Sequence, residues 1–402
     1  MPYFHNLPNA KLPNLMTQEL SNIAEDIDNL SDELKLYFRN KFCLSKAKTP
    51  SDFTDEPYIK AWEGYCVKAE KDGAFEVLKS CYPQLNFPIE KGIDKTQDYA
   101  DAVLKGKMDC INSENNLGLN NPKGIEISIY ESIAGKVPVL KIPDNQDFTK
   151  IIQCFLYKNN PTLVPLSMGA LLANGINNWD RLHTLKNDWL ANNSMGNWNQ
   201  EFSKNVLTNP HLFKDKIVIL STKPYSNVTA RSLGLSEIDL KSYSYSIRLE
   251  HECTHLYTLK KYGSASNNLH DELIADYIGI SKTIGNYDKG WMLTFMGLEE
   301  YPKYRKGARL ENYLGNDNIS LENFERLTKI IKNAIENIAI FDAELGKITS
   351  DNDQMCRIDT LCETSVIEIA SENGASLLIE KYKAIRKLVY IPALFTATHN
   401  AY

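Results

Sequence analysis

The chain reads as an α+β protein, helix-rich, with a small β-sheet ahead of one motif-bearing helix and helical regions on either side. Three patterns predict this. Toward both ends apolar residues recur every three or four positions, the period of an amphipathic helix. Between about residues 124 and 221, short alternating or continuous apolar runs carry the strand signal. Around residue 251 a helix with a clear stop carries two histidines four residues apart. The pattern divides the chain into an N-terminal helical region (1–120), a metal-binding core (121–300) and a C-terminal helical region (301–402), which can also pack as one unit.

The elements follow in order. Residues 1–15 are rich in Pro and Asn and read as extended. From 17 to 110 the chain reads as amphipathic helices, with Leu20, Ile23, Ile27 and Leu30 at three- and four-residue intervals. Ile125, Ile127 and Ile129 alternate with Glu126 and Ser128, the period of a half-buried strand, and Val137–Ile142 follows as a second strand after a turn at Gly135. Asp147–Tyr157 reads as a helix and Thr162–Leu166 as a further strand. Asn174–Asn199, dense in Asn and Trp, reads as an ordered loop with room for a short helix. Lys216–Ser221 is the clearest buried strand. Beyond Gly285 helices return, notably Leu321–Leu345 and Asp359–Val389.

Composition narrows the function classes. With 43% hydrophobic and 24% charged residues the chain is ordinary for a globular protein. A net charge of −6 argues against nucleic acid or an acidic membrane as the main partner. The 8 cysteines form no C-x-x-C pair, as expected of reduced thiols in a cytoplasmic protein. The first residues lack a basic stretch followed by an apolar one, so no signal peptide is expected, and no apolar run reaches the ~18 residues of a membrane span.

The chemistry concentrates in His251-Glu252-Cys253-Thr254-His255. Histidines four apart project from one helical face, one turn above the other, as two nitrogen ligands to one divalent ion require. Glu252 lies about 100° further round, placed to take a proton from water beside the metal. Among only 7 histidines, chance gives this pattern on the order of once in a hundred such chains. Leu249, Leu256 and Leu259 supply a core-facing stripe, Lys260 and Lys261 suit the negative end of the helix dipole, and Gly263 supplies a left-handed stop. After a short turn Asn268 can cap a second helix with Asp271 at its third position. That helix carries Glu272 and Asp276 on one face, Glu272 as third ligand and Asp276 as acceptor for the far nitrogen of a ligand histidine. Ala275 and Gly279 are small enough for the two helices to approach closely. His270 points to a different side and reads as a surface residue rather than a ligand; Cys253 reads as a buried structural thiol.

H-E-x-x-H followed by E-x-x-A-D resembles the gluzincins, the thermolysin-like metallopeptidases, over residues 244–280. The resemblance implies a zincin-like core with His251, His255 and Glu272 as zinc ligands, Glu252 as general base and Asp276 behind a ligand histidine. Arg248 stands where such enzymes usually carry a small or apolar residue. Thr258 and Lys261 exclude the metzincin variant, which has Gly and His there.

The function these residues point to is zinc-dependent hydrolysis of a peptide or amide in a peptide or small-molecule substrate. Tyr304 and Arg309, in a mixed aromatic and basic segment, are candidates for substrate contact or for stabilising an oxyanion; a solvated basic loop is the plainer account of that segment. Two other readings compete. Two histidines and one carboxylate also hold Fe2+ in non-haem oxygenases, with Arg309 gripping a 2-oxo acid. A helical scaffold in which the motif is inert is the third.

Overall fold

The structure is a computed structural model that describes residues 30–42, 44–48, 53–111, 116–263, 268–314 and 320–390. The expected stretch at 1–15 and most of the Leu20–Leu30 periodicity lie outside these residues. Leu30 itself packs against the main core.

One mixed sheet is built from β1 (Glu126–Ser132), β2 (Gly135–Ile142), β3 (Ala170–Asn177) and β4 (Lys214–Ser221), in the order β1-β2-β4-β3. The longer helices are α1 (Asp32–Tyr37), α2 (Ile59–Asp72), α3 (Ala74–Cys81), α4 (Asn145–Tyr157), α5 (Trp179–Asn192), α6 (Glu237–Tyr262), α7 (Leu269–Ile284), α8 (Lys289–Met296), α9 (Leu321–Leu345), α10 (Asp351–Cys362), α11 (Val366–Ala370) and α12 (Gly374–Tyr390). The α+β class expected from the sequence is the class observed.

The sheet is covered on both faces, and β4 shows why. As a central strand it pairs in parallel with β2 and antiparallel with β3, so its residues face cores on both sides, and Ile217–Leu220 reads as an unbroken apolar run. Val218 and Leu220 join Val137 and Val139 in the core that contains α6, α7 and the C-terminal helices. Ile217 and Ile219 join Leu140 and Ile142 against Trp62, Leu78 and Ile151 of α2, α3 and α4. Alternate side chains of a strand point to opposite faces, so one strand serves both cores. The first core runs from Leu34 through Val139 and Ile278 to Leu378, across the boundaries drawn from the sequence.

Three expectations need correction. Thr162–Leu166 is not a strand: Leu163 and Leu166 are exposed, and the prolines at 161 and 165 have no amide to give a ladder. The third strand is β3, inside and ahead of the expected loop. Its Gly and Asn residues weaken the strand signal, but pairing along β4 recruits it, with a register break between Asn174 and Ile176 where Gly175 takes φ +78°. The rest of that loop is mostly α5, capped by Asn178 and anchored through Trp179 and Leu182 on Phe213 and Val206. The single helix read over Asp359–Val389 is broken in two places. Ser365 starts α11 with a reciprocal capping box to Glu368, and Gly374 begins α12.

Among the described residues no helix is long and apolar enough to cross a membrane, and Cys66, Cys81, Cys110, Cys154, Cys253, Cys356 and Cys362 are free thiols.

Candidate metal centre

Helix α6 supplies the motif. Ser236 caps its start by accepting from the Asp239 amide, and Gly263, at φ 74°, ends it. Residues 251–258 are all buried, polar and apolar alike. A polar side chain buried this way needs a partner, and α7 provides most of them. The two helices are antiparallel, so the earlier histidine of α6 meets the later carboxylate of α7. They pack closely because residue 279 is glycine: a Cβ there would fall 2.8 Å from the Ile247 carbonyl oxygen.

The resulting geometry is symmetrical in its logic. His251 Nδ1 lies 2.9 Å from Asp276 Oδ1, and His255 Nδ1 lies 3.0 Å from Asp271 Oδ2. Each carboxylate accepts the Nδ1–H of its ring, which turns both Nε2 atoms toward one point with their lone pairs exposed. Those atoms are 2.9 Å apart. Glu272 closes the group, its Oε2 3.4 Å from His251 Nε2 and its Oε1 3.7 Å from His255 Nε2. At this distance the two nitrogens must share either a proton, as a hydrogen bond from one charged imidazole, or a metal cation that replaces it. A tetrahedral ion with bonds of ~2.0–2.1 Å would hold two nitrogens about 3.3 Å apart, so the donors need move only a few tenths of an ångström. His251, His255 and Glu272 therefore fit one divalent ion.

The charges respond accordingly. Burial disfavours a charged His255, but Asp271, Glu272 and Glu252 outweigh it and push its pKa up to about 10. His251 is also raised, burial and His255 opposing and Asp276 and Glu272 prevailing. Glu272 and Asp276 are held below the usual carboxylate range: burial opposes, but the histidines and Arg309 prevail. Glu252 behaves differently. Its burial, reinforced by Glu272, raises its pKa against the pull of the histidines and a hydrogen bond from the Leu172 amide of β3. A carboxylate above its normal range, beside the ion site yet outside the ligand group, is suited to proton transfer.

Opposite the histidines, Arg309 is buried and engaged through all three of its nitrogens. Its Nη2 donates to Glu272 Oε2 (2.7 Å), its Nη1 to Asp276 Oδ1 (3.0 Å) and its Nε to Tyr313 Oη (2.6 Å). Tyr313 Oη donates to Glu272 Oε2 at 3.0 Å, and Tyr225 Oη to Asp276 Oδ1 at 2.5 Å. The centre opens into a cavity of about 540 Å³ whose walls include His251, Glu252, His255, Glu272, Arg309 and the start of β3.

A family model described as a family of unknown function (DUF7005) matches residues 19–373. The chain belongs to that family. Comparison with curated proteins and with solved structures returns no match.

In this DUF7005 protein, six of the seven site residues expected from sequence converge: His251, Glu252, His255, Glu272, Asp276 and Arg309. Tyr304 does not. Its hydroxyl donates to the Ala308 carbonyl at 3.1 Å and its ring packs on Phe324, away from the cavity. Arg309 arrives as a brace for two carboxylates rather than as a free cation. His270 is buried, not superficial, with Nε2 2.8 Å from the Leu361 carbonyl oxygen. Cys253 is buried in the main core. Sequence reasoning missed Asp271 as the partner of His255, and Tyr225 and Tyr313 altogether; Arg248 stood out there only as a departure from the gluzincin pattern. The first had a signal: in an antiparallel pair, a histidine one turn later on α6 calls for an acid one turn earlier on α7, and Asp271 is five residues before Asp276.

Proposed function

We propose that this protein is a zinc-dependent hydrolase of peptide or amide bonds, with a site arranged as in the gluzincins. The observation that carries the reading is the separation of roles among the buried acids. Glu272 joins the two imidazoles, Asp271 and Asp276 orient them, and Glu252 stays outside with a raised pKa. A zinc ion held by His251, His255 and Glu272 would supply Lewis acidity to a carbonyl and to a water molecule. Glu252 accepts the proton that the attacking water gives up and passes it to the departing nitrogen. Arg309, Tyr225 and Tyr313 keep the ligand and orienting carboxylates ionised and fixed. β3 is an edge strand, and its residues Ala170, Leu171, Leu172 and Asn174 line the cavity. An extended peptide can add there as a further strand, with its backbone along Glu252.

The iron-oxygenase reading uses the same three ligands but assigned Arg309 to a 2-oxo acid. The donors of Arg309 are committed to Glu272, Asp276, Tyr225 and Tyr313, so that clamp is lost. Metal analysis of protein purified without oxygen separates the two readings. For the hydrolase, Glu252→Gln retains zinc and loses peptide cleavage by several orders of magnitude, measured against a mixed peptide library. Undiminished cleavage by that variant refutes the assignment of the base.

A further inference from the structure

Of the two arginines in the cavity wall, Arg248 alone forms no ion pair: its guanidinium lies over the Tyr225 ring, and Glu252, four positions on, acts on it only from beyond ion-pair distance. Arg248 sits on α6 one turn before His251, is 2% exposed, and lines the same cavity. Burying a guanidinium with no carboxylate at ion-pair distance is costly, so what it touches is informative. Its Nη1 donates to the carbonyl oxygens of Lys223 (2.5 Å) and Ser244 (3.4 Å), and its Nη2 donates to that of Pro224 (2.9 Å). A guanidinium carries five N–H donors. The Nε–H and the second Nη2–H are left, and they donate to nothing among the described residues. These two are parallel and share one edge, the fork that matches the two oxygens of a carboxylate. Gly169, fixed by the Ser221 amide on its carbonyl oxygen at 2.8 Å, lies against that edge. A Cβ on residue 169 would fall 2.3 Å from Nε and 2.4 Å from Nη2, so only glycine leaves room there. Arg309, by contrast, has no edge to spare.

We propose that Arg248 binds a carboxylate of the substrate through its Nε–H and free Nη2–H, which makes the site selective for peptides bearing a carboxylate close to the bond that is cut. The inference rests on the hydrolase reading for the identity of the ligand. One guanidinium edge suits a singly charged, planar carboxylate; a phosphate, with more charge and a tetrahedral shape, would call for a second free cation. The carboxylate can be the chain terminus of a short peptide or an acidic side chain, and the same contact serves either.

Calorimetric titration of the full chain, metal-free and zinc-loaded, tests this with two pairs of probes. Acetyl-dialanine is compared with its amide, and acetyl-alanyl-glutamate amide with acetyl-alanyl-glutamine amide. In at least one pair the acid binds roughly ten- to a hundredfold more tightly, as expected for one charge-assisted two-pronged contact, and the pair that shows it names the source of the carboxylate. The preference disappears in Arg248→Gln. It also disappears in Gly169→Ala, which keeps the arginine and fills its open edge, so the proposal stays testable if Arg248→Gln does not fold. Equal binding within both pairs, a preference that survives in folded Gly169→Ala, or tighter binding of 2-oxoglutarate than of every peptide overturns it. A protein that takes up no zinc yet keeps the Arg248-dependent preference overturns the hydrolase reading and leaves the carboxylate subsite standing.

Discussion

Asp276→Ala tests the centre at the carboxylate that joins His251, Tyr225 and Arg309. The carboxylate holds His251 Nδ1 at 2.9 Å, accepts from Tyr225 at 2.5 Å, and faces Arg309 at 2.9 Å from its second oxygen. Without it the His251 ring loses the bond that fixes its tautomer, which costs metal affinity about ten- to a hundredfold, or ~1.4–2.8 kcal/mol. Stability falls separately. Removing one partner of a buried ion pair costs about 3–5 kcal/mol. The lower end applies, because Arg309 keeps Glu272 at 2.7 Å and Tyr313 at 2.6 Å. For a chain of 402 residues, at about 2.1 cal/mol/K of unfolding entropy per residue, each kcal/mol shifts melting by about 1.2 °C, so the metal-free variant melts some 3–4 °C below the parent. Thermal denaturation of metal-free protein reads the second effect, and competition with a chelator reads the first. An unchanged melting temperature together with metal affinity within twofold of the parent refutes the assignment.

Two further outcomes follow from the same geometry. In metal-free protein His255 titrates far above its ordinary 6.5, at about 10, so its charged form contributes stability that is complete below pH ~6.5 and is lost as pH rises toward 10. The metal displaces that proton, so its apparent affinity rises about tenfold per pH unit across this window; a chelator competition series from pH 6.5 to 9 that shows no slope contradicts the proton's place in the site. Gly279→Ala pushes a methyl against the Ile247 carbonyl, where the Cβ would be 2.8 Å away. It destabilises by about 1–3 kcal/mol despite alanine's better helix propensity, visible in urea unfolding, and a variant as stable as the parent means the helices have room to part.

The centre was legible because its residues report on one another at helical spacings. His251 and His255, four apart, demand a common face, and Glu272 and Asp276, four apart on the next helix, demand a second face opposite the first. Asn268 and Gly263 mark where one helix stops and the other begins, and both act as their types suggest. Strands with strong local signals were equally plain: β4 carries the unbroken apolar run Ile217–Leu220, buried on both sides. β3 was not, because its place in the sheet comes from β4 and not from its own Gly- and Asn-containing sequence. The helix over 359–389 failed for a related reason. Its apolar period continues across Ser365 and Gly374, and only the capping interactions reveal the breaks.

Arginines mark the limit of such reading. Arg248 and Arg309 are the same residue type, and from sequence Arg309 was the better candidate for substrate because it lies among aromatic and basic residues. The fold reverses this. Arg309 reaches back over more than thirty positions to Glu272 and Asp276, and two carboxylates with two tyrosines and Ser226 engage all three of its nitrogens. Arg248, on the motif helix itself, lies over the Tyr225 ring, donates only to backbone carbonyls among the described residues and retains an open edge over Gly169. Which cation is spent and which is free depends on contacts between residues far apart in the chain, and no periodicity encodes that. The feature that could have raised suspicion is Arg248 alone: a charged residue one turn before the first histidine, on the helix face that carries the motif, must be either neutralised or used. No acid pairs with it directly, and Glu252 acts on it only from beyond ion-pair distance.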